Sequence, residues 1–248
     1  MEKNIPITEA LYKKSIPIDQ LNDSEAINLM VTEQQKATME VKKISKSIEF
    51  AINQIFNHLK SNKDGKLIYV GAGTSGRIGM QDGVELFPTF NWPKERLDFI
   101  IAGGRNAIFN AIENAEDDLS EAKMSVLDKS VNSKDVVIGL AASGNTPFTC
   151  KVMEEAKKKE ALTIAISNNP VGKILKFGKI KIIIDTKEEV IAGSTRLKAG
   201  TAQKVCLNII SSMVMIKLGR VKNGLMKNMV PTNLKLRRRK LMIDNEIS

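Results

Sequence analysis

The sequence predicts an α/β protein built as a three-layer α-β-α sandwich around a five-stranded parallel sheet. Five short apolar runs are continuous rather than alternating, which is typical of strands covered on both faces. Helical stretches separate these runs, and such alternation is typical of a doubly wound sheet, which binds ligands beyond the carboxyl ends of its strands. The predicted strands cover residues 67–70, 99–102, 136–142, 162–166 and 180–184. The predicted helices between them cover residues 105–129, 147–160 and 171–177.

Two helices are predicted before the sheet. Residues 1–22 are interpreted as irregular, and Asp23 and Ser24 are candidate caps of a helix that runs to about Lys36. A longer helix follows, because apolar residues recur there at helical spacing. These apolar positions are 41, 44, 48, 51, 52, 55 and 59.

Two further helices are predicted after the sheet, over residues 196–218 and 231–243. The second is strongly basic, which is typical of a solvated face or a subunit contact. We therefore divide the chain into an N-terminal helical extension (1–62), a domain built around the parallel sheet (63–220) and a basic C-terminal helix (221–248).

Composition narrows the class of partner. The 248 residues carry a formal net charge of +10, but only 4% are aromatic. The lysines are spread along the helices and few rings are present for base stacking. An anionic small molecule as ligand, or simply a lysine-rich proteome, is therefore favoured over nucleic-acid binding as the reason for the charge.

The cysteines and the single histidine limit the chemistry. Cys150 and Cys206 lie far apart without a CxxC motif, which predicts reduced thiols in a cytoplasmic protein. The N-terminus lacks an apolar signal core, and the apolar stretch 205–216 is too short to span a membrane. Because His58 is the single histidine of the sequence, a histidine-based metal site is disfavoured. We therefore expect no metal and no cofactor, and we expect carboxylates to perform any acid–base chemistry.

The most informative motif follows the first strand. Glycines allow backbone N–H groups to approach an anion closely, and the N-terminus of a helix adds a favourable dipole. Two hydroxyl side chains offer further donors. The motif therefore predicts a phosphate-binding loop between a strand and a helix, with the sequence Gly71-Ala72-Gly73-Thr74-Ser75-Gly76.

The same glycines match the dinucleotide fingerprint GxGxxG, so NAD(P) binding is an alternative. That interpretation expects an acidic residue at the end of the second strand to bind the ribose. The second strand ends in Gly103-Gly104-Arg105 instead, where Arg105 suits only a 2′-phosphate. The fingerprint alone is weak evidence for a nucleotide.

Two further loops carry groups that can bind an anion. The third strand ends in Ser143-Gly144-Asn145-Thr146-Pro147, with the proline placed for the first turn of a helix. Together with the first loop, this segment can hold one phosphate from two sides. The segment from Gly193 to Thr201 opens the long helix. Its Arg196 and Lys198 can reach an anion or a carboxylate, and a structural role of the segment as a helix cap is equally open.

Two acidic segments follow strand ends. Glu85 comes shortly after the phosphate loop, and Glu113 and Glu116 come after the second strand. A paired acid and base can perform an elimination or an isomerisation if their environments separate their pKa values. Sequence spacing leaves open whether Glu113 or Glu116 faces the site.

At these motifs the chain resembles the sugar isomerase (SIS) domain family and, within it, the N-acetylmuramic acid 6-phosphate etherases. The match is collinear over nearly the whole chain, and Thr8-Glu9 and Asp19 also fall where that family carries them. The resemblance implies that residues 63–220 form a sugar-phosphate-binding SIS domain with a flavodoxin-like fold, and it implies a homodimer. The matching segments are 71–79, 85–90, 101–104, 115–118, 141–144 and 193–204.

The resemblance implies a lyase that converts N-acetylmuramic acid 6-phosphate to N-acetylglucosamine 6-phosphate and D-lactate, by elimination of the D-lactyl ether and then hydration. It implies that Glu85 protonates the departing lactate and that Glu116 is the base or the activator of water. The expected substrate-binding residues are Gly73, Thr74, Ser75, Ser143, Asn145, Thr146, Ser194 and Lys198.

The chain departs from the family pattern around its first glutamate, where Gly83-Val84 and Leu86-Phe87 replace Ala-Ser and Cys-Pro. The family's small C-terminal helical domain is expected to be absent. Because the changes surround the lactyl end of the site, a related sugar phosphate or an altered acyl ether stays open as the substrate. Two alternative functions also stay open. One is an SIS sugar-phosphate isomerase, and the other is a non-catalytic sugar-phosphate sensor like the family's kinase-controlling regulatory protein.

Overall fold

The computed structural model describes residues 6–12, 16–231 and 234–247. The parts of the predicted terminal segments at 1–5, 13–15, 232–233 and 248 lie outside these residues. A five-stranded, all-parallel sheet in the order β2-β1-β3-β4-β5 forms the centre and confirms the predicted fold class. Its strands are β1 (Leu67–Gly71), β2 (Leu97–Ile101), β3 (Val136–Ala141), β4 (Leu162–Ser167) and β5 (Ile180–Ile183).

Helices cover both faces of the sheet. Helices α2, α3 and α7 pack on one face, and α5 and α6 pack on the other. By length and composition α7 is apolar enough to cross a membrane, but 56% of its apolar window is buried inside the protein, as in a core helix. The helices are α1 (Asp23–Lys43), α2 (Ser45–Ser61), α3 (Gly73–Val84), α4 (Leu86–Phe90), α5 (Leu119–Asp128), α6 (Pro147–Lys158), α7 (Lys198–Lys217) and α8 (Leu234–Ile247).

Burial on both faces explains why the strand sequences are continuously apolar. Alternate side chains of β1 point to opposite layers, with Tyr69 packed in the cluster of α2 and α7 and Ile68 and Val70 in that of α5 and α6. Each fully buried aliphatic side chain stabilises the fold by about 1.5–3 kcal/mol relative to exposure. The sheet is therefore the rigid part on which the connecting loops are mounted.

The predicted helix over 105–129 is wrong for its first half. Gly103 and Gly104 have left-handed φ angles of 77° and 62°, and Asn114 has a φ of 57°, so the chain turns repeatedly before a helix begins. The Asp118 side chain then accepts a hydrogen bond from the first turn of α5 and caps it. Similarly, the predicted helix over 171–177 is a short 3₁₀ helix, Lys173–Lys176.

The first helix also differs from the prediction. Its N-cap is Asn22, which exchanges hydrogen bonds with Glu25 in a capping box, rather than Asp23 or Ser24. The helix passes Lys36 and ends only at Lys43, because its buried face continues beyond Lys36. The break to α2 falls at Ile44, whose φ and ψ of −101° and 19° leave the helical region.

The strand order determines where a ligand can bind. In the order 2-1-3-4-5 the chain leaves β1 and β3 in opposite directions, and a crevice opens between their carboxyl ends. The turn after β1 is very tight, because a Cβ atom on Gly71 would lie 2.7 Å from the backbone nitrogen of Gly76. Only glycine at position 71 allows α3 to begin so close to the end of the strand.

Candidate active site

A cavity of about 690 Å³ lies in this crevice, beyond the carboxyl ends of β1 and β3. Five separate segments line it: an N-terminal turn, the loop after β1, a turn after β2, the loop after β3 and the segment before α7. The lining residues are Glu9, Ala72, Gly73, Thr74, Ser75, Arg77, Glu116, Ala142, Ser143, Thr146, Ala192, Gly193, Ser194, Thr195 and Arg196.

Two helix N-termini meet at this cavity. Helix α3 begins at Gly73 and α6 begins at Pro147, and no side chain of the described residues caps either start. Uncapped N–H groups and the positive end of the helix dipole make each start favourable for an anion. The hydroxyls of Thr74, Ser75 and Thr146 lie beside them, so this end of the cavity is suited to a phosphate group.

The loop after β3 is held by close backbone packing. A Cβ atom on Gly144 would lie 2.5 Å from the Cα atom of Gly172, and its φ is 71°. This packing leaves Ser143 at the cavity. The Asn145 side chain instead accepts a hydrogen bond from the backbone N–H of Lys173 at 3.0 Å, so it holds the loop and is not among the lining residues.

Glu116 places a carboxylate beside the phosphate loop. Its Oε1 atom lies 3.2 Å from the position that a Cβ atom on Gly73 would occupy. Burial, and then the negative charge of Asp117, raise the pKa of Glu116 above its usual range. The buried Ala115 fixes this short 3₁₀ turn against Gly103. Both Glu113 and Glu116 are partly open to solvent, but only Glu116 lines the cavity.

Lys198 does not reach the cavity, although the sequence predicts it there. Its Nζ atom is buried and donates to Glu33 at 2.6 Å and to the carbonyl of Glu188 at 2.7 Å. Burial acts to raise the pKa of Glu33, but hydrogen bonds from Lys198, Lys36 and Tyr12 outweigh it and lower this pKa to about 2. The lysine therefore belongs to a buried hydrogen-bond network next to residues 192–196, the segment before α7 that lines the cavity and that we call the cavity wall.

Glu189 also stabilises the cavity wall, by binding the start of α7. Its carboxylate accepts hydrogen bonds from the backbone N–H groups of Lys198 and Ala199 and so binds the first turn of α7. Burial raises the pKa of Glu189 in spite of these bonds. Ser194, which the sequence predicts as a ligand, lies just before this turn and does line the cavity.

Glu85 lies at the opposite end of α3 from the phosphate loop. It is the exposed C-terminal cap of the helix. Since α3 has 12 residues, a rise of 1.5 Å per residue separates Glu85 from Gly73 by roughly 18 Å along the axis. The structure therefore does not bring Glu85 into the cavity of its own chain.

The cavity contains residues that the sequence-based site set omits. Glu9 is one: the family resemblance includes Thr8-Glu9, but no periodic pattern connects a short N-terminal turn with a distant sheet, so Glu9 received no role. Arg77 is another, and its guanidinium also donates to the carbonyls of Ala107, Ile108 and Asn110. Arg105, on which the NADP alternative depends, is not among the lining residues.

Solved structures support the fold. A phosphoheptose isomerase from Francisella tularensis matches with a TM-score of 0.62 and 18% identity, covering 79% of this chain and 100% of that chain. The phosphoheptose isomerase from Neisseria gonorrhoeae matches with a TM-score of 0.55 and 16% identity, covering 79% and 98%. At such low identity these likenesses concern the fold alone.

Sequence comparison defines the family. The SIS domain model matches residues 114–212, and the model of the glucokinase regulatory protein N-terminal SIS domain matches residues 48–157. The N-acetylmuramic acid 6-phosphate etherase of Lactobacillus johnsonii is 45% identical, covering 92% of this chain and 76% of the relative. That of Clostridium acetobutylicum is 44% identical, covering 92% and 75%. The crevice between β1 and β3 thus lies in a chain that belongs to the N-acetylmuramic acid 6-phosphate etherase family.

Proposed function

We propose that this protein cleaves the D-lactyl ether of N-acetylmuramic acid 6-phosphate with water, giving N-acetylglucosamine 6-phosphate and D-lactate. The single observation that carries the chemistry is the Glu116 carboxylate beside Gly73, in a cavity where two uncapped helix N-termini converge. The names of the relatives define the ether substrate. The two helix starts suit its phosphate, and the carboxylate suits proton transfer near the sugar.

The proposed reaction proceeds by elimination and then hydration. In the ring-opened sugar the C2 proton is acidic because it is adjacent to the C1 carbonyl. Glu116 removes this proton, the C3–O bond breaks, and an acid protonates the departing lactate oxygen. Water then adds at C3 and a proton returns to C2, so that atoms and charges balance. Gly73, Thr74, Ser75, Ser143, Thr146 and Ser194 hold the phosphate end.

We infer that the acid comes from a second copy of the chain. Glu85 matches the family's acid in sequence, but it is exposed and roughly 18 Å along α3 from its own cavity. A cytoplasmic homodimer that inserts Glu85 into the partner's cavity reconciles these facts. Exposed apolar residues support a subunit contact, since Val84 beside Glu85 and Ile209, Met213 and Ile216 on α7 remain open to solvent.

The shared-site arrangement is tested by mixing two inactive variants. Glu85→Ala and Glu116→Ala are each expected to abolish lactate release. Co-expressed in equal amounts, they form mixed dimers in which one of the two sites has both glutamates, so about one quarter of the wild-type activity returns. If each site lies within one chain, the mixture stays inactive.

The overall function is tested with the purified protein and N-acetylmuramic acid 6-phosphate. We expect stoichiometric release of D-lactate and N-acetylglucosamine 6-phosphate, measured with D-lactate dehydrogenase and by mass spectrometry. A folded protein that binds the sugar phosphate but releases no lactate would contradict the etherase function. Turnover on other hexose phosphates would then separate an isomerase from a sensor.

A further inference from the structure

A turn near the N-terminus brings a second carboxylate to the cavity. Residues 6–12, which we call the N-terminal segment, form the 3₁₀ turn Ile7–Glu9. The side chain of Thr8 is fully buried, and the next residue, Glu9, lines the cavity. The turn is closed by backbone bonds from Glu9 to Pro6 and from Ala10 to Ile7.

The N-terminal segment is anchored to the rest of the protein by a buried chain of hydrogen bonds. The Tyr12 hydroxyl donates to Glu33 of α1 at 2.7 Å, and the other oxygen of Glu33 accepts from Lys198 of α7 at 2.6 Å. Tyr12 also packs against an apolar cluster that contains Val190 and Leu197. The same hydrogen-bond network therefore connects the N-terminal segment with the first residue of α7, next to the cavity wall.

The chemistry of the cavity is asymmetric. Glu9 and Glu116 are the only carboxylates among its described lining residues, and the other polar side chains there are hydroxyls and arginines. An ionised carboxylate accepts hydrogen bonds but donates none. It therefore repels a phosphate group and suits the part of a ligand that carries donors, such as sugar hydroxyls or an amide N–H.

We propose that Glu9 is a substrate-contacting specificity residue that accepts hydrogen bonds from the sugar portion of a hexose phosphate. The two helix N-termini hold the phosphate, and Glu9 selects for a sugar attached to it. This proposal rests on the proposed function only in taking a sugar phosphate as the ligand. Tyr12, Glu33 and Lys198 form the hydrogen-bond chain that anchors the segment carrying Glu9.

The test measures binding without turnover. Calorimetry compares N-acetylglucosamine 6-phosphate with inorganic phosphate on wild type, Glu9→Gln and the control Glu113→Gln, which loses the same charge outside the cavity. Glutamine keeps one acceptor oxygen but loses the charge, and the difference between a charge-assisted and a neutral hydrogen bond predicts roughly tenfold weakening of sugar-phosphate binding in Glu9→Gln. Inorganic phosphate should bind equally well or more tightly, because negative charge in the cavity has fallen. Glu113→Gln should match wild type for both ligands.

Two results would overturn the proposal. One is wild-type affinity of Glu9→Gln for both ligands, and the other is equal weakening for both, which would indicate a general structural effect. Glu9→Asp keeps the charge and is expected to recover part of the lost sugar-phosphate affinity. Because no lactate is measured, a failed etherase assay would leave this result unaffected, and the two failures can be distinguished.

Discussion

Replacing Glu116 by glutamine is expected to lower kcat for D-lactate release by about two to four orders of magnitude, which is the usual contribution of a general acid–base group. Glutamine keeps the shape of the side chain beside Gly73 but cannot accept the C2 proton. The measurement is the steady-state rate, together with deuterium incorporation at C2 in D₂O. Both should be lost while thermal unfolding is unchanged.

The pH dependence gives a second measure of the same group. Burial and the neighbouring Asp117 raise the pKa of Glu116, so activity that requires the ionised base should fall as pH drops through this raised value. In Asp117→Asn a negative charge is removed, the pKa of Glu116 falls, and the acidic limb of kcat/KM moves to lower pH. Glu113→Gln is the control and should not move it. Near-wild-type rates in Glu116→Gln would exclude Glu116 as the base.

Replacing Lys198 by methionine is expected to destabilise the protein by about 3 kcal/mol, because it removes one partner of a buried ion pair. The value lies at the low end of the usual range because Tyr12 and Lys36 still contact Glu33. The matched control is Lys36→Met, whose side chain is 53% exposed and pairs with the same carboxylate. Lys36→Met should lower the free energy of unfolding by only about 0–1 kcal/mol.

Urea unfolding of Lys198→Met and Lys36→Met measures the difference in their stability. The pH dependence of unfolding tests whether the Lys198–Glu33 ion pair is its cause. The folded state lowers the pKa of Glu33 from 4.5 to about 2. The stabilisation is therefore fully present above pH 4.5 and is lost as pH falls toward 2. The difference in the free energy of unfolding between wild type and Lys198→Met should therefore become smaller as the pH falls from 4.5 toward 2. Equal destabilisation by both lysine variants at neutral pH would contradict the buried pair as its origin.

The sequence by itself determines the sheet and the tight turn after β1 that borders the cavity. A strand that is covered on both faces must be apolar throughout, so 67–70 and 136–142 are recognisable without knowledge of their partners. The tight turn after β1 requires glycine at position 71 for a purely local reason. Both signals lie within a few residues of the structure that they specify.

Only the tertiary structure decided where the charged residues lie and which groups they contact. Lys198 is predicted as an anion ligand, but its partner Glu33 lies 165 residues away, and no local pattern records that pairing. Glu9 and Glu116 line one cavity although they belong to different elements. Glu85 lies at the far end of α3, so the length of this helix separates it from the cavity. The physical reason is that apolar periodicity reports burial along one element, while the environment of a charge depends on which distant elements pack against it.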